Sequence, residues 1–326
     1  MADWLTVLLI IGAMFMVIVV GWEARRRALL TAETTSTLSR LVVDLTIPAL
    51  VFTQMLRTVD GPALRTNWYV PLLGAGIIAV SLAVALPFAS LFTPRASRPT
   101  FLFLIAVANW IYLPLPIVEA LYGAEGVRAV LLMNVGAQLV LWTLGVWTLR
   151  GGKPDLESLK NLALNPGLIA TAIGIALALL VPNTASWFTS DGAKSANPVL
   201  MAMLMVGSLT IPLSLLVTGA QLGGLDLSDH RPSPALNGVV LLRLLLAPAV
   251  VIGLVWLAGM LGLALPTVPR MVTYLIASMP VAISCSIFTE RFGGDTPLAA
   301  RAIFLTTLLS IATVPAIFFL VTRWNM

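Results

Sequence analysis

The sequence predicts an all-α polytopic membrane protein of ten transmembrane helices, arranged as two inverted five-helix repeats with the fourth and ninth helices interrupted at prolines. Three observations predict it. Hydrophobic residues make up 59% of the chain and charged residues 10%, with a mean hydropathy of +0.99; soluble domains carry roughly a quarter charged residues. A water-facing fold with so few charges has too little polar surface to cover itself, whereas lipid tails solvate apolar side chains. Apolar stretches recur at about the 20-residue length that a membrane helix needs. Short motifs also return in the second half of the chain at a nearly constant offset.

The expected spans are residues 3–22, 37–57, 68–92, 99–122 and 125–149, then 166–183, 198–222, 234–262, 268–290 and 297–323. The first is a retained helix and not a signal peptide, because Asp3 precedes it and Arg25, Arg26 and Arg27 follow it. The sixth is short and ends near Pro182. Loops after odd-numbered spans hold Arg25, Arg26, Arg27, Arg40, Arg95, Arg98, Arg150, Lys153, Lys160, Arg231, Arg291 and Arg301. The other side holds Arg57, Arg65, Arg128, Lys194, Arg270 and Arg323. The positive-inside rule makes the first group cytoplasmic and leaves both termini outside. Absence of a targeting segment fits a bacterial inner membrane.

Residues 150–165 form a polar cytoplasmic linker between a first repeat, 1–149, and a second, 166–326. Five helices per half means that the second half enters the membrane from the opposite side, so any repeat is inverted. Thr46-Ile47-Pro48 in span 2 matches Thr210-Ile211-Pro212 in span 7, about 164 residues on. Tyr122-Gly123-Ala124-Glu125 between spans 4 and 5 matches Phe292-Gly293-Gly294-Asp295 between spans 9 and 10, about 170 residues on. In each the acid opens a helix, where it complements the positive dipole end.

Prolines mark where helices break. Span 4 contains Pro114 and Pro116, and span 9 contains Pro280. Each removes a backbone donor and clashes with the preceding turn. Freed carbonyls inside a bilayer persist only where protein or water satisfies them, and in transporters such breaks mark the ligand site. A plain kink is the alternative reading of each.

Several chemistries lack their residues. Cys285 is the single cysteine and His230 the single histidine, so an internal disulfide, a cysteine cluster, zinc and haem have almost no ligands. No metal or cofactor is expected. The net charge of +5 lies in short loops without interleaved aromatics, which excludes a nucleic-acid footprint. An intramembrane enzyme is disfavoured by the absence of HExxH, GxSxG and any histidine within a span.

The stretches LVVDLTIPALVFTQML, ANWIYLPLPIVEALYGAEG, LNPGLIATAIGIAL, IPLSLLVTGAQLGG, LLRLLLAPAV, SMPVAISCSIFTERFGGD and LAARAIFLTTLLSIATVPAIFF together resemble the auxin efflux carrier family, the group that contains plant PIN proteins and bacterial organic-acid carriers. The general architecture is shared with the bile acid–sodium symporters. The resemblance implies a scaffold of helices 1, 2, 6 and 7 and a transport domain of helices 3–5 and 8–10, with helices 4 and 9 crossing at their breaks. It also implies a small organic anion as partner alongside the lipid bilayer, and the option of a homodimer. By the same resemblance Asn109 fits the asparagine before the first break, with Pro116 seven residues on; Gln138 fits a polar position near the substrate, and Pro280 the second break. Pro114 and Val281-Ala282 depart from the PIN pattern, and the long hydrophilic loop of many plant members is missing. These departures argue against auxin itself.

Read from their own chemistry, Asn109 either binds a carboxylate or caps the broken helix. Gln138, with Asn134 one turn earlier on the same face, either joins it or makes an interhelical hydrogen bond. Ser278, Ser284 and Ser286 flank Pro280 and either bind a carboxylate or satisfy backbone carbonyls. Ionisable residues within spans are functional candidates. Asp44 and Arg243 both lie about 12–14 Å from the cytoplasmic end at 1.5 Å per residue, a depth that permits a charge pair; separate snorkelling or capping is the alternative. Glu119 is either a proton site or an exposed helix-end residue. The expectation is a secondary transporter of a small carboxylate working by alternating access, as efflux or uniport, with a sodium- or proton-coupled symporter and a non-transporting membrane sensor as the rival readings.

Overall fold

The computed structural model describes residues 4–58, 65–111, 113–152, 160, 163–181, 184, 197–224 and 233–324. Most of the linker, Lys153, Pro182, Lys194, His230 and Arg231 lie outside the described residues. Regular structure among the described residues is helical apart from one antiparallel bridge, Ala108–Val281. The helices are α1 (Trp4–Arg26), α2 (Ala32–Arg57), α3 (Val70–Phe92), α4 (Arg98–Ala106), α5 (Pro114–Leu149), α6 (Pro166–Leu180), α7 (Pro198–Gly223), α8 (Pro234–Met260), α9 (Thr267–Ala277), α10 (Cys285–Phe292) and α11 (Thr296–Arg323). Among the described residues α2, α3, α5, α7, α8 and α11 are each long and apolar enough to cross a bilayer.

The helix starts follow local chemistry. Asn165, Asn197 and Ser233 each precede a proline, and each side-chain oxygen accepts from a backbone N–H of the first turn, at Leu168 (3.0 Å), Val199 (3.0 Å) and Leu236 (3.4 Å). A capping oxygen satisfies an orphan donor, and proline at the first helical position has no N–H to satisfy. Asp295 caps α11 in the same way through Leu298 (3.0 Å).

Spans 4 and 5 do not appear as two helices separated by a loop. The helical path runs from Pro114 to Leu149 with one non-helical residue, Gly123, at φ 56° and ψ −146°. A Cβ placed on Gly126 would lie 3.1 Å from the Val118 carbonyl oxygen, whereas eight residues of straight helix span about 12 Å. The chain therefore doubles back at Gly123, where a residue with a Cβ would be strained.

Packing sorts the helices. Inside lipid, apolar side chains gain little by meeting one another, so close approach at small residues carries helix association. Gly21 of α1 lies against the Leu216 backbone of α7, and Gly219 of α7 against the Ile18 and Trp22 backbone of α1. Gly174 of α6 and Gly207 of α7 sit on α2, at Met55 and Leu50. Gly74 of α3 meets the Met133 backbone of α5, and Gly136 of α5 meets Pro71 of α3. So α1, α2, α6 and α7 pack together, while α3 packs on α4 and α5, and α8 on α3 and α9.

Candidate functional site

Spans 4 and 9 are both interrupted. α4 ends at Ala106 and the path resumes at Pro114; α9 ends at Ala277 and α10 begins at Cys285. The two interruptions meet. The Asn109 N–H donates to the Pro280 carbonyl (2.9 Å), and the Ala282 N–H to the Val107 carbonyl (3.0 Å). Buried backbone groups must find partners, and here each break supplies them to the other. The Val281 N–H goes to Thr306 Oγ1 on α11 (3.2 Å).

Three further carbonyls at the helix ends and breaks go to Arg243, which is 0% exposed. Its Nε donates to Met279 O (3.0 Å), Nη1 to Ile105 O (2.9 Å) and Ser81 Oγ (3.4 Å), and Nη2 to Ala277 O. The guanidinium thus receives the C-terminal ends of both α4 and α9, where helix carbonyls lack intrahelical partners and the dipole is negative. The charge pair with Asp44 that equal depth permits is not formed. Asp44 is exposed and lies on a groove among α2, α6 and α7 lined by Leu45, Pro48, Phe52, Ile169, Val199 and Met203. Equal depth along two helices permits contact, but depth says nothing about which way each residue faces.

A cavity of about 210 Å³ adjoins the crossing. The breaks contribute Val107, Ala108, Asn109, Trp110, Ile111, Ala282, Ile283 and Ser284; α5 contributes Asn134, Gln138, Leu141 and Trp142; α10 contributes Phe288. Val43 and Ile47 of α2, and Asn165 and Gly167 at the start of α6, close the opposite wall. The cavity therefore lies between the two packed groups. A π-helical turn at Val42–Thr46 widens α2 here; such turns recur at functional sites. Neighbouring residues on a helix face about 100° apart, which is how Val43 reaches the cavity while Asp44 faces the outer groove.

The lining is uncharged but polar at selected points. Asn109 is 4% exposed. Trp110 Nε1, Trp142 Nε1 and Asn134 Oδ1 are buried without a hydrogen-bond partner among the described residues. An indole N–H only donates, so both indoles are donors without an acceptor among the described residues. The first turns of α6 and α10 add positive dipole ends. Phe288 stacks obliquely on Trp142, with ring centroids 5.1 Å apart, and Phe103 backs it at 5.6 Å.

Of the residues selected from the sequence, Asn109, Asn134, Gln138 and Ser284 meet at this cavity. Pro280 lies at the crossing through its carbonyl but does not line the cavity. Pro116 is half-buried in α5 away from it. Ser278 and Ser286 donate to backbone carbonyls, Tyr274 O (2.8 Å) and Ile283 O (2.9 Å), which is the backbone-satisfying alternative. Glu119 is exposed and off the cavity. Sequence reading missed Trp110, Trp142, Phe288 and Asn165. Two signals pointed to them: Trp110 follows Asn109 directly, and Asn165-Pro166 is a helix-start pair.

A family model described as membrane transport protein matches residues 7–158 and 155–318. The chain belongs to this family, that of the auxin efflux carriers. An uncharacterized transporter of Methanothermobacter thermautotrophicus is similar, 26% identical over 310 residues that span 93% of this chain and 94% of that one. Auxin efflux carrier membership makes the chain a multi-pass membrane transport protein, and implies a transporter rather than an enzyme.

Proposed function

We propose that the protein is a secondary transporter of a small organic anion, a carboxylate, that works by alternating access. The observation that carries this reading is the cavity between the two packed groups, at the crossing of two broken helices, lined by Asn109 and by two tryptophans whose indole N–H groups have no acceptor among the described residues. A carboxylate accepts from both indoles and from an amide. Neutral donors and helix dipoles hold an anion without fully neutralising it, which permits release. Phe288 and Trp142 supply an apolar wall for the body of the acid.

The architecture in this reading has ten spans in two inverted repeats of five. Gly123 and Gly293, the matched turn glycines, both have positive φ, 56° and 80°. Both TIP sequences lie at helix irregularities: Thr46 ends the π-turn of α2, and Thr210 resumes α7 after Leu209. The group α1, α2, α6 and α7 serves as scaffold for the remaining helices, which carry the site. Asn165 and Gly167 line the cavity and lie next to the linker, which supports a cavity facing the side that the positive-inside count makes cytoplasmic. Both termini are then outside.

The test is counterflow of a panel of radiolabelled carboxylates in proteoliposomes, with Asn109→Ala as control and with sodium and pH gradients imposed separately. Counterflow of an anion that Asn109→Ala abolishes supports the reading, and the gradients identify the coupling. Folded protein that exchanges no carboxylate in the panel counts against it.

A further inference from the structure

We infer that Arg243 is a positioning residue for anion recognition: it clamps the two helix breaks into one body and supplies the fixed positive charge that biases the neighbouring cavity toward anions. The inference rests on the cavity reading above for its second half and on geometry alone for its first.

The guanidinium is fully buried, yet every hydrogen-bond partner it has among the described residues is a neutral oxygen. Among the described residues no carboxylate pairs with it. Arginine stays ionised in proteins, and the negative ends of α4 and α9 offset its charge with partial charges only, so a net positive charge stays buried at a cost. A side chain needed only to satisfy three carbonyls would do so at lower desolvation cost if it were neutral, so the retained charge points to a use for the charge itself. The planar fork explains the choice of arginine over lysine. Ile105 O belongs to the end of α4, while Ala277 O and Met279 O belong to the end of α9 and its break. One rigid group with donors in fixed directions joins both, which a single ammonium cannot match. Each joined segment runs straight into the crossing: Val107 follows Ile105 by two residues and lines the cavity, and Pro280 follows Met279 and accepts from Asn109. Arg243 touches none of the cavity itself. Its charge reaches an anion there through a short layer of low-dielectric protein, where screening is weak.

The test compares wild type with Arg243→Lys and Arg243→Gln, each checked for folding by gel filtration in detergent. Hydrogen exchange reads the clamp. In Arg243→Gln, peptides covering 105–113 and 278–286 should exchange about tenfold faster together, with the α1–α7 contact unchanged; Arg243→Lys should fall between. Unchanged exchange, or a change in one break alone, overturns the clamp. Binding of benzoate and of its neutral isostere benzamide reads the charge. Arg243→Gln should lose about tenfold in benzoate affinity relative to benzamide, and Arg243→Lys should keep most of the preference. An equal loss for both probes, which a merely structural role produces, overturns the electrostatic half. If wild type itself shows no preference for benzoate over benzamide, both the charge assignment and the anion reading of the cavity fail, while exchange still decides the clamp.

Discussion

Thr306→Val is a narrow perturbation of the crossing. Thr306 and Val281 are both 0% exposed, and the Thr306 hydroxyl accepts from the Val281 N–H at 3.2 Å while donating to Ala302 O at 2.7 Å. Pro280 offers no N–H of its own, so Val281 carries the first donor after the break. Valine keeps the shape of threonine and removes the acceptor. A buried donor left without a partner costs about 1–3 kcal/mol. At about 1.4 kcal/mol per factor of ten, local opening at the crossing should rise roughly five- to hundredfold. Hydrogen exchange of the 278–286 peptide in detergent measures this, with Thr306→Ser, which restores the acceptor, returning close to wild type. Exchange in Thr306→Val within about twofold of wild type would refute the argument that α11 holds this break through the hydroxyl.

Gly219→Val should lower thermal stability by about 1–3 kcal/mol through overpacking against the α1 backbone, whereas Gly76→Ala, whose Cβ meets nothing within 4 Å, should be near neutral; detergent melting curves compare them. Trp110→Phe and Trp142→Phe keep the aromatic wall and delete one donor each, so each should weaken carboxylate binding by about tenfold, the scale of a hydrogen bond to a charged group, with little effect on a neutral amide analogue in a titration. Glu119→Gln changes an exposed residue away from the cavity and should leave counterflow unchanged, since surface substitutions are usually within about 0.5 kcal/mol.

The helix breaks were legible because proline acts locally: it removes a donor wherever it sits, and Pro114, Pro116 and Pro280 fall at or beside the interruptions. The glycine turns were legible for the same reason. Asn109, Asn134, Gln138 and Ser284 stood out as polar groups in apolar surroundings, and they converge. The cavity's aromatic members did not stand out. In a membrane helix every face is apolar, so Trp142 and Phe288 carry no periodic signal that separates a cavity wall from a lipid-facing surface. Arg243 was conspicuous as an intramembrane charge, but its partners are carbonyls set free by breaks in two other helices. A sequence gives the depth of a residue by counting, and the rotation only if the helix is regular. The π-helical turns at Val42–Thr46 and Leu242–Leu246 contain Asp44 and Arg243, and they alter the facing of both.

The most direct test of alternating access at this cavity is two-sided labelling of Gln138→Cys in a Cys285→Ser background. A membrane-impermeant maleimide is applied from each side of oriented vesicles, with and without the carboxylate that counterflow identifies. Alternating access predicts labelling from both sides, slowed on both by that carboxylate. Labelling from the linker side alone, whatever ligand is present, would contradict alternating access and favour a membrane sensor that binds without moving its ligand.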